Sequence, residues 1–262
     1  MNNFTVMKKE RSMKNVEQFY DSVNQVWKDN LTKDYHVGLY QTESDTIIEA
    51  QKNVIYNIQD TLHIMKWDTI LDVGCGSGSA AYDISSRTGC QIIGINISKK
   101  QLKDCLEYQK KLEGKLAFFQ MDAVNMKFPE NIFDGIYALE SIMHMDRQKV
   151  LKNVHKCLKE NKKFVFTDWY VRTPLGEKEK NLILRLVQGK YISLDEYEQM
   201  LTQEKFRNIE IEDWSEQILP TYEEWAPGEK LLRAYPELAT EINELICIAK
   251  QKLGYCKIVA RK

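Results

Sequence analysis

Between residues 69 and 170, short apolar runs rich in β-branched and aromatic residues alternate with amphipathic stretches. That alternation restricts the fold more than any other feature of the sequence. The runs are TILDVG (69–74), CQIIGINI (90–97), LAFFQMD (116–122), FDGIYALE (133–140) and FVFTDWY (164–170), with KKQLKDCLEYQKKLE (99–113) and DRQKVLKNVHKCLKE (146–160) among the stretches between them. Crossovers of this kind are right-handed and set their strands parallel, so the sequence predicts an α/β fold with a doubly wound, mostly parallel sheet. FRNIEIEDW (206–214) and GYCKIVARK (254–262) bring the expected strands to seven. The last lies far from its helix-linked predecessors, which suits an antiparallel edge or hairpin insertion.

Outside this core the periodicity is helical. It runs from Val16 to Trp67, broken at YHVGLY (35–40), and returns in a charged insert over about 172–205. No linker separates these parts. The expectation is one domain over 1–262: an N-terminal helical lid (1–66), a cofactor-binding core (67–170), then a cap insert and the C-terminal strands (171–262).

A net charge of −1 gives no general electrostatic reason to expect nucleic acid as a partner. The start, MNNFTVMKKERSMK, is basic but lacks an apolar run behind it, and no stretch approaches the ~20 apolar residues of a membrane span. Six cysteines (75, 90, 105, 157, 247 and 256) are scattered singly, a pattern of free thiols rather than of disulfides or a zinc site. The expectation is a cytoplasmic protein, with no metal and no membrane insertion, acting on a small molecule; a homo-oligomer is left open.

The turn LDVGCGSGSA (71–80) stands between the first strand and its helix, where glycine-rich turns hold nucleotide cofactors. Gly74, Gly76 and Gly78 read G-x-G-x-G, and Asp72 precedes them at the ligand end of the strand. Beside a dinucleotide's pyrophosphate that carboxylate would be repulsive. Beside a sulfonium and an α-ammonium it is favourable, and S-adenosylmethionine carries both and no phosphate. Asn96, at the end of strand two, is expected at the ribose hydroxyls, with an Asx-type turn as the alternative. Asp122, at the end of strand three, is expected to accept from the adenine amino group, with a cap as the alternative, and Ala123 offers its N–H. The expected cofactor-binding set is Tyr20, Asp72, Gly74, Cys75, Gly76, Gly78, Asn96, Ile97, Gln101, Asp122, Ala123 and Leu139.

ILDVGCGSGSAA, IIGINISKKQL, FFQMDAVNMKFPENIFDGIYALESIMHM and FVFTDWYV resemble the strand-end motifs of class I S-adenosylmethionine-dependent methyltransferases. More narrowly they are similar to the small-molecule group that includes sterol and tocopherol C-methyltransferases and the sugar O-methyltransferase of rebeccamycin biosynthesis. The resemblance covers about Val16 to Lys262 and implies a seven-stranded, Rossmann-like methyltransferase fold. In that group strand two tends to carry G-[IV]-x-[IL]-S, as at Gly94–Ser98, which accounts for the missing ribose acid. KENKK (159–163) departs from the group's usual Pro-Gly-Gly turn. In the rebeccamycin-type enzyme adjacent histidines follow strand four and an aspartate ends strand five. Met143 stands here at the first histidine, His144 at the second, and Asp168 in the third place.

A hydroxyl acceptor must lose its proton as the new bond forms, and an imidazole can take it. His144 and Asp168 are therefore the candidate base pair, with the carboxylate orienting the ring or binding a neighbouring hydroxyl. Glu140 is expected at the cofactor or the acceptor. The function expected is methyl transfer to a hydroxyl or amine of a small molecule, such as a sugar or natural-product intermediate. C-methylation of an isoprenoid or lipid would instead call for an aromatic- and carboxylate-lined apolar pocket. A nicotinamide oxidoreductase is disfavoured by Asp72, and a non-catalytic binding protein is suggested only by Met143.

Overall fold

The computed structural model describes residues 36–262. Tyr20, Tyr35 and residues 1–35 of the expected lid lie outside the described residues. Seven strands form one sheet: β1 (Thr69–Val73), β2 (Gln91–Asn96), β3 (Leu116–Gln120), β4 (Gly135–Leu139), β5 (Lys163–Val171), β6 (Arg207–Asp213) and β7 (Leu253–Arg261). Their order is β3-β2-β1-β4-β5-β7-β6. The first five are parallel, while β7 runs antiparallel to both β5 and β6. The strand order reverses between β1 and β4, so the carboxyl ends of these strands flank a crevice, the usual ligand position of such sheets.

Helices cover both faces. On one, α1 (Ile47–Leu62) buries Val54, Ile55 and Ile58, and α2 (Ser79–Thr88) buries Ala81 and Ile84, against Ile70, Ile92, Tyr137 and Val165. α3 (Lys99–Lys111) packs beside β2 and β3. On the other face α4 (Arg147–Cys157) and α6 (Leu194–Gln203) pack Val150, Val154, Tyr197 and Leu201 on Ile136, Phe164 and Phe166. α5 (Glu177–Val187), short α7 (Thr221–Glu224), α8 (Glu229–Ala234) and α9 (Pro236–Lys252) complete the insert and the approach to β7.

Local sequence sets the helix starts that matter for the crevice. Ser98 Oγ accepts the Gln101 amide at 3.2 Å and starts α3 just past β2, and Asp146 Oδ1 accepts the Lys149 amide at 3.3 Å to start α4 past β4. Asp168 accounts for a charge within an otherwise apolar strand: it points into the α6 face, between Phe166 and Tyr170 on the same side.

Candidate active site

The turn after β1 is held from below. The amides of Gly74 and Cys75 both donate to the Ile95 carbonyl, at 2.9 and 3.0 Å, and the Gly78 amide closes the turn on the Cys75 carbonyl at 2.9 Å. Gly74, Gly76 and Gly78 have φ of 80°, 53° and 84°. Their surroundings differ. A Cβ on Gly74 would lie 2.5 Å from Ser141 Cβ, and one on Gly78 would lie 2.9 Å from the Phe118 ring and 3.0 Å from Cys105 Sγ. A Cβ on Gly76 would meet nothing within 4 Å. Packing thus requires the outer two glycines, whereas the central one faces open space. α2 starts at Gly78 without a side-chain cap.

Asp72 is buried and its Oδ2 accepts from the Tyr137 hydroxyl on the neighbouring strand at 2.8 Å. Burial, only partly offset by that bond, pushes its carboxyl up to about 7.

Asn96 and Asp122 have local partners in place of free groups. Asn96 Nδ2 donates to the Gly76 carbonyl at 3.2 Å and to Gln101 Oε1 at 2.8 Å, and its Oδ1 accepts the Ile97 amide at 2.8 Å. It therefore ties the glycine turn to the start of α3. Gln101 is buried with it, and Ile97 is half-buried beside it. Asp122 caps a short 3₁₀ turn (Ala123–Asn125), its oxygens accepting from the Val124 amide and the Asn125 side chain, each at 2.9 Å. Here the turn geometry takes the side-chain groups, as short polar residues before helical turns tend to do. Ala123 is buried under α4, where Asn153 Nδ2 holds its carbonyl at 3.0 Å, and Leu139 is half-buried at the end of β4.

The expected His144–Asp168 arrangement takes a different form. Asp168 Oδ2 accepts from the Tyr197 hydroxyl at 2.5 Å and Oδ1 from the Trp169 amide at 2.8 Å. Tyr197 in turn accepts from Arg147 Nε at 3.1 Å. Asp168 thus joins β5 to α6 and α4, and burial raises its carboxyl to about 6 against the pull of Arg147. His144 Nδ1 instead faces the Gln188 carbonyl at 3.2 Å. The chain after α5 folds over this rim: the Lys190 amide donates to the Met143 carbonyl at 3.0 Å, and Arg147 bonds the Lys190 carbonyl. Burial, aided by Arg147, lowers the His144 imidazole to about 4, so the ring is neutral near pH 7.

The junction that sequence reasoning left unassigned is Glu140. It ends β4 in the left-handed region, at φ 45°, and is buried. Its Oε1 accepts from the Val37 amide at 2.7 Å and the Tyr255 hydroxyl at 2.9 Å, and its Oε2 from Trp169 Nε1 at 3.1 Å. The segment His36–Tyr40 is laced down by this bond and by Gly38 N to Thr221 Oγ1 at 3.1 Å, Leu39 N to the Ala50 carbonyl at 2.8 Å and Tyr40 N to the Gln217 carbonyl at 3.0 Å. His36 is buried beside Glu140; its Nδ1 lies 2.8 Å from the Val37 carbonyl, and its Nε2 has no partner among the described residues. Trp169 packs against Tyr191 and Tyr222 at a tilt and edge-to-face on Tyr255, at ring separations of 6.4, 6.1 and 5.3 Å, so an aromatic wall stands beside the carboxylate.

The methyltransferase-domain family matches residues 71–166, from β1 into β5. An O-methyltransferase of Pyrenophora dematioidea is 30% identical over 213 residues, covering 78% of this chain and 80% of its own length. The chain belongs to the class I S-adenosylmethionine-dependent methyltransferases. The methyltransferase is also 29% identical, over 95% of its length and 96% of the relative's, to the 27-O-demethylrifamycin SV methyltransferase of Amycolatopsis mediterranei. Its fold matches geranyl diphosphate C-methyltransferase from Streptomyces coelicolor A3(2), with a TM-score of 0.75 at 17% identity over 93% of this chain and 98% of that one. The cyclase SpnF superposes comparably, with a TM-score of 0.79 at 21% identity over 94% and 95% of the two chains. The methyltransferase is thus an enzyme whose cofactor is S-adenosylmethionine and whose acceptor is a small molecule. Among the described residues no helix is long and apolar enough to cross a membrane.

Proposed function

We propose that this methyltransferase methylates a hydroxyl of a small natural-product-like molecule. The observation that carries the reading is the half-buried, neutral His144 imidazole at the carboxyl end of β4, roofed by Gln188–Lys190. Two relatives in which hydroxyl methylation is part of the name support it.

When bound, S-adenosylmethionine supplies a methyl group already activated on a sulfonium. The crevice fits it in three respects. Gly76 leaves backbone open to close approach, the uncapped start of α2 offers amides to the α-carboxylate, and buried Asp72 offers a negative charge to the cationic groups. Tyr20, Gly74, Cys75, Gly78, Ile97, Gln101, Ala123 and Leu139 complete the proposed cofactor set, with Asn96 and Asp122 acting through the turns they hold. His144 takes the acceptor's hydroxyl proton. Asp168 acts at one remove, by anchoring Tyr197 and Arg147 beneath the roof. The free thiols of all six cysteines suit the reducing cytoplasm in which we place the enzyme.

His144→Ala should lower turnover by about 10²–10⁴-fold, the usual contribution of a positioned base, with S-adenosylhomocysteine affinity unchanged. Because Arg147 links the Asp168–Tyr197 pair to the roof over His144, the double variant with Asp168→Asn should cost little more than His144→Ala alone. Turnover across a panel of hydroxyl, amine and prenyl acceptors checks this, and near-parental turnover of His144→Ala would overturn the histidine-base reading. Glu140 and its aromatic wall favour a second reading, C-methylation through a cationic intermediate held against the rings. Methylation of prenyl acceptors alone would select it.

Asp72 predicts a pH dependence. Its folded-state value, about 7, exceeds the ordinary carboxylate range, so the folded chain holds a proton that the unfolded chain releases. The stability it contributes is therefore greatest in acid, declines as pH rises from about 4 to 7 and is level above. Tyr137 and Cys75, its titratable neighbours, are both raised and stay protonated across that window. A bound cation favours the ionised form, so S-adenosylmethionine affinity should fall by up to about tenfold per unit below pH 7. Calorimetry from pH 5 to 8 tests this, and Asp72→Asn should bind more weakly with a flat profile. A parental profile that is itself flat would count against Asp72 as the charge partner.

A further inference from the structure

Two cysteine thiols meet beneath the glycine turn. Cys75 lies within the turn and Cys105 on α3, and both are buried. Their Sγ atoms converge on one acceptor, the Gly76 carbonyl oxygen, at 4.0 Å from Cys75 and 3.5 Å from Cys105. The Cys105 thiol is near enough to help raise the pKa of the Cys75 thiol. Glycines make the room for this meeting: Cys105 Sγ stands 3.0 Å from where a Cβ on Gly78 would be, and Cys75 Cβ 2.9 Å from where one on Gly94 would be.

We propose that Cys75 and Cys105 are a modification site, forming a reversible disulfide that shuts the cofactor crevice. The inference rests on the reading of this turn as the cofactor loop. A disulfide draws the sulfurs to about 2.05 Å, well inside thiol contact, and imposes its own torsion. It also removes both S–H donors from the Gly76 carbonyl. α3 is held by the Ser98 cap and by packing on β2 and β3, so the contraction is taken up by the turn, where three left-handed glycines permit it. Gly76 is the residue displaced, and it is the one that faces open space.

The oxidant is a low-molecular-weight disulfide such as oxidised glutathione. One cysteine, as its thiolate, attacks a sulfur of the oxidant and releases one glutathione. The second cysteine then displaces the other glutathione. The two cysteine sulfurs lose two electrons in total, and the two released thiols carry away the two protons. The adjacent Cys105 thiol and burial keep Cys75 protonated and make the first attack slow, so the reaction belongs to chains whose crevice is empty. Occupancy over Gly76 holds the turn in the thiol form.

The test uses the full chain with Cys247→Ser, because Cys247 is exposed and would be oxidised independently. The protein is equilibrated in glutathione buffers of rising oxidised fraction. Non-reduced peptides are then mapped by mass spectrometry, and S-adenosylhomocysteine binding is measured by calorimetry. We expect a Cys75–Cys105 peptide pair, with cross-linked protein binding roughly tenfold or more weakly and recovering in dithiothreitol. Saturating S-adenosylhomocysteine during oxidation should lower the yield of that pair. Cys105→Ser should bind as the reduced parent does and keep that affinity in oxidising buffer, with Cys105→Ala as a second variant should a hydroxyl disturb α3. Cross-linked protein of unchanged affinity overturns the proposal, as does the absence of the pair at a fully oxidising ratio. A reduced parent that does not bind S-adenosylhomocysteine overturns the assignment of the loop itself.

Discussion

Gly76→Val should fold and yet bind S-adenosylhomocysteine about a hundredfold or more weakly than the parent. Residue 76 has a φ of 53°, where a β-branched side chain costs on the order of 1–3 kcal/mol. Nothing in the protein within 4 Å opposes its Cβ, so the added atoms do not clash with the fold. They project into the space that the cofactor reading fills. Gly114 supplies the control, with a φ of 76° and equally open surroundings, on the turn between α3 and β3. Gly114→Val should pay the same backbone cost and keep parental affinity. Gly74→Ala is the opposite case. Its Cβ would lie 2.5 Å from that of Ser141, so it should be lost to misfolding before binding can be measured. Calorimetry beside thermal melts separates the three. If Gly76→Val and Gly114→Val bind alike, the turn is not where the cofactor approaches.

Glu140→Ala should be the most destabilising single change at the crevice, by about 3 kcal/mol or more. It strips buried partners from the Val37 amide, the Trp169 indole N–H and the Tyr255 hydroxyl, and each orphaned donor costs about 1–3 kcal/mol. For a chain of this size that lowers Tm by roughly 6 °C or more. Glu140→Gln keeps one acceptor oxygen for Val37 and Tyr255 but turns an amide NH₂ toward Trp169, so it should fall between parent and alanine. Glu140→Gly should exceed alanine by about 1 kcal/mol, since residue 140 is left-handed and glycine takes that conformation without strain. The same bond holds His36–Tyr40 against the sheet, so hydrogen exchange at Val37 and Leu39 should accelerate in the alanine variant. Alanine with parental Tm and exchange would show that Glu140 does not hold this segment.

Much of the fold is legible because local chemistry and fold agree. Each run of β-branched and aromatic residues became a strand, each amphipathic stretch between them a crossover helix, and the isolated last run an antiparallel strand inserted beside β5. The glycine turn was legible too, since left-handed glycines behind an apolar strand are a backbone requirement that neighbours cannot override. Side-chain pairing between elements distant in sequence was not. Asn96 and Asp122 sit at strand ends and take the Asx-type turn and the cap that their residue types allow, while Asn96 also reaches Gly76, 20 positions back.

Asp168 and Glu140 mark the boundary between the two kinds of knowledge. The amino-acid order alone places one carboxylate just past β4 and another near the end of β5, an imidazole after β4, and a turn suited to S-adenosylmethionine after β1. Where those groups spend their bonds is set by packing. α6 brings Tyr197 under Asp168, while β7 and the N-terminal segment bring Tyr255 and Val37 to Glu140. The reason is physical. A backbone preference is settled by the residue and its neighbours in sequence, whereas a buried carboxylate must find donors, and those lie on elements far along the chain that packing alone brings near.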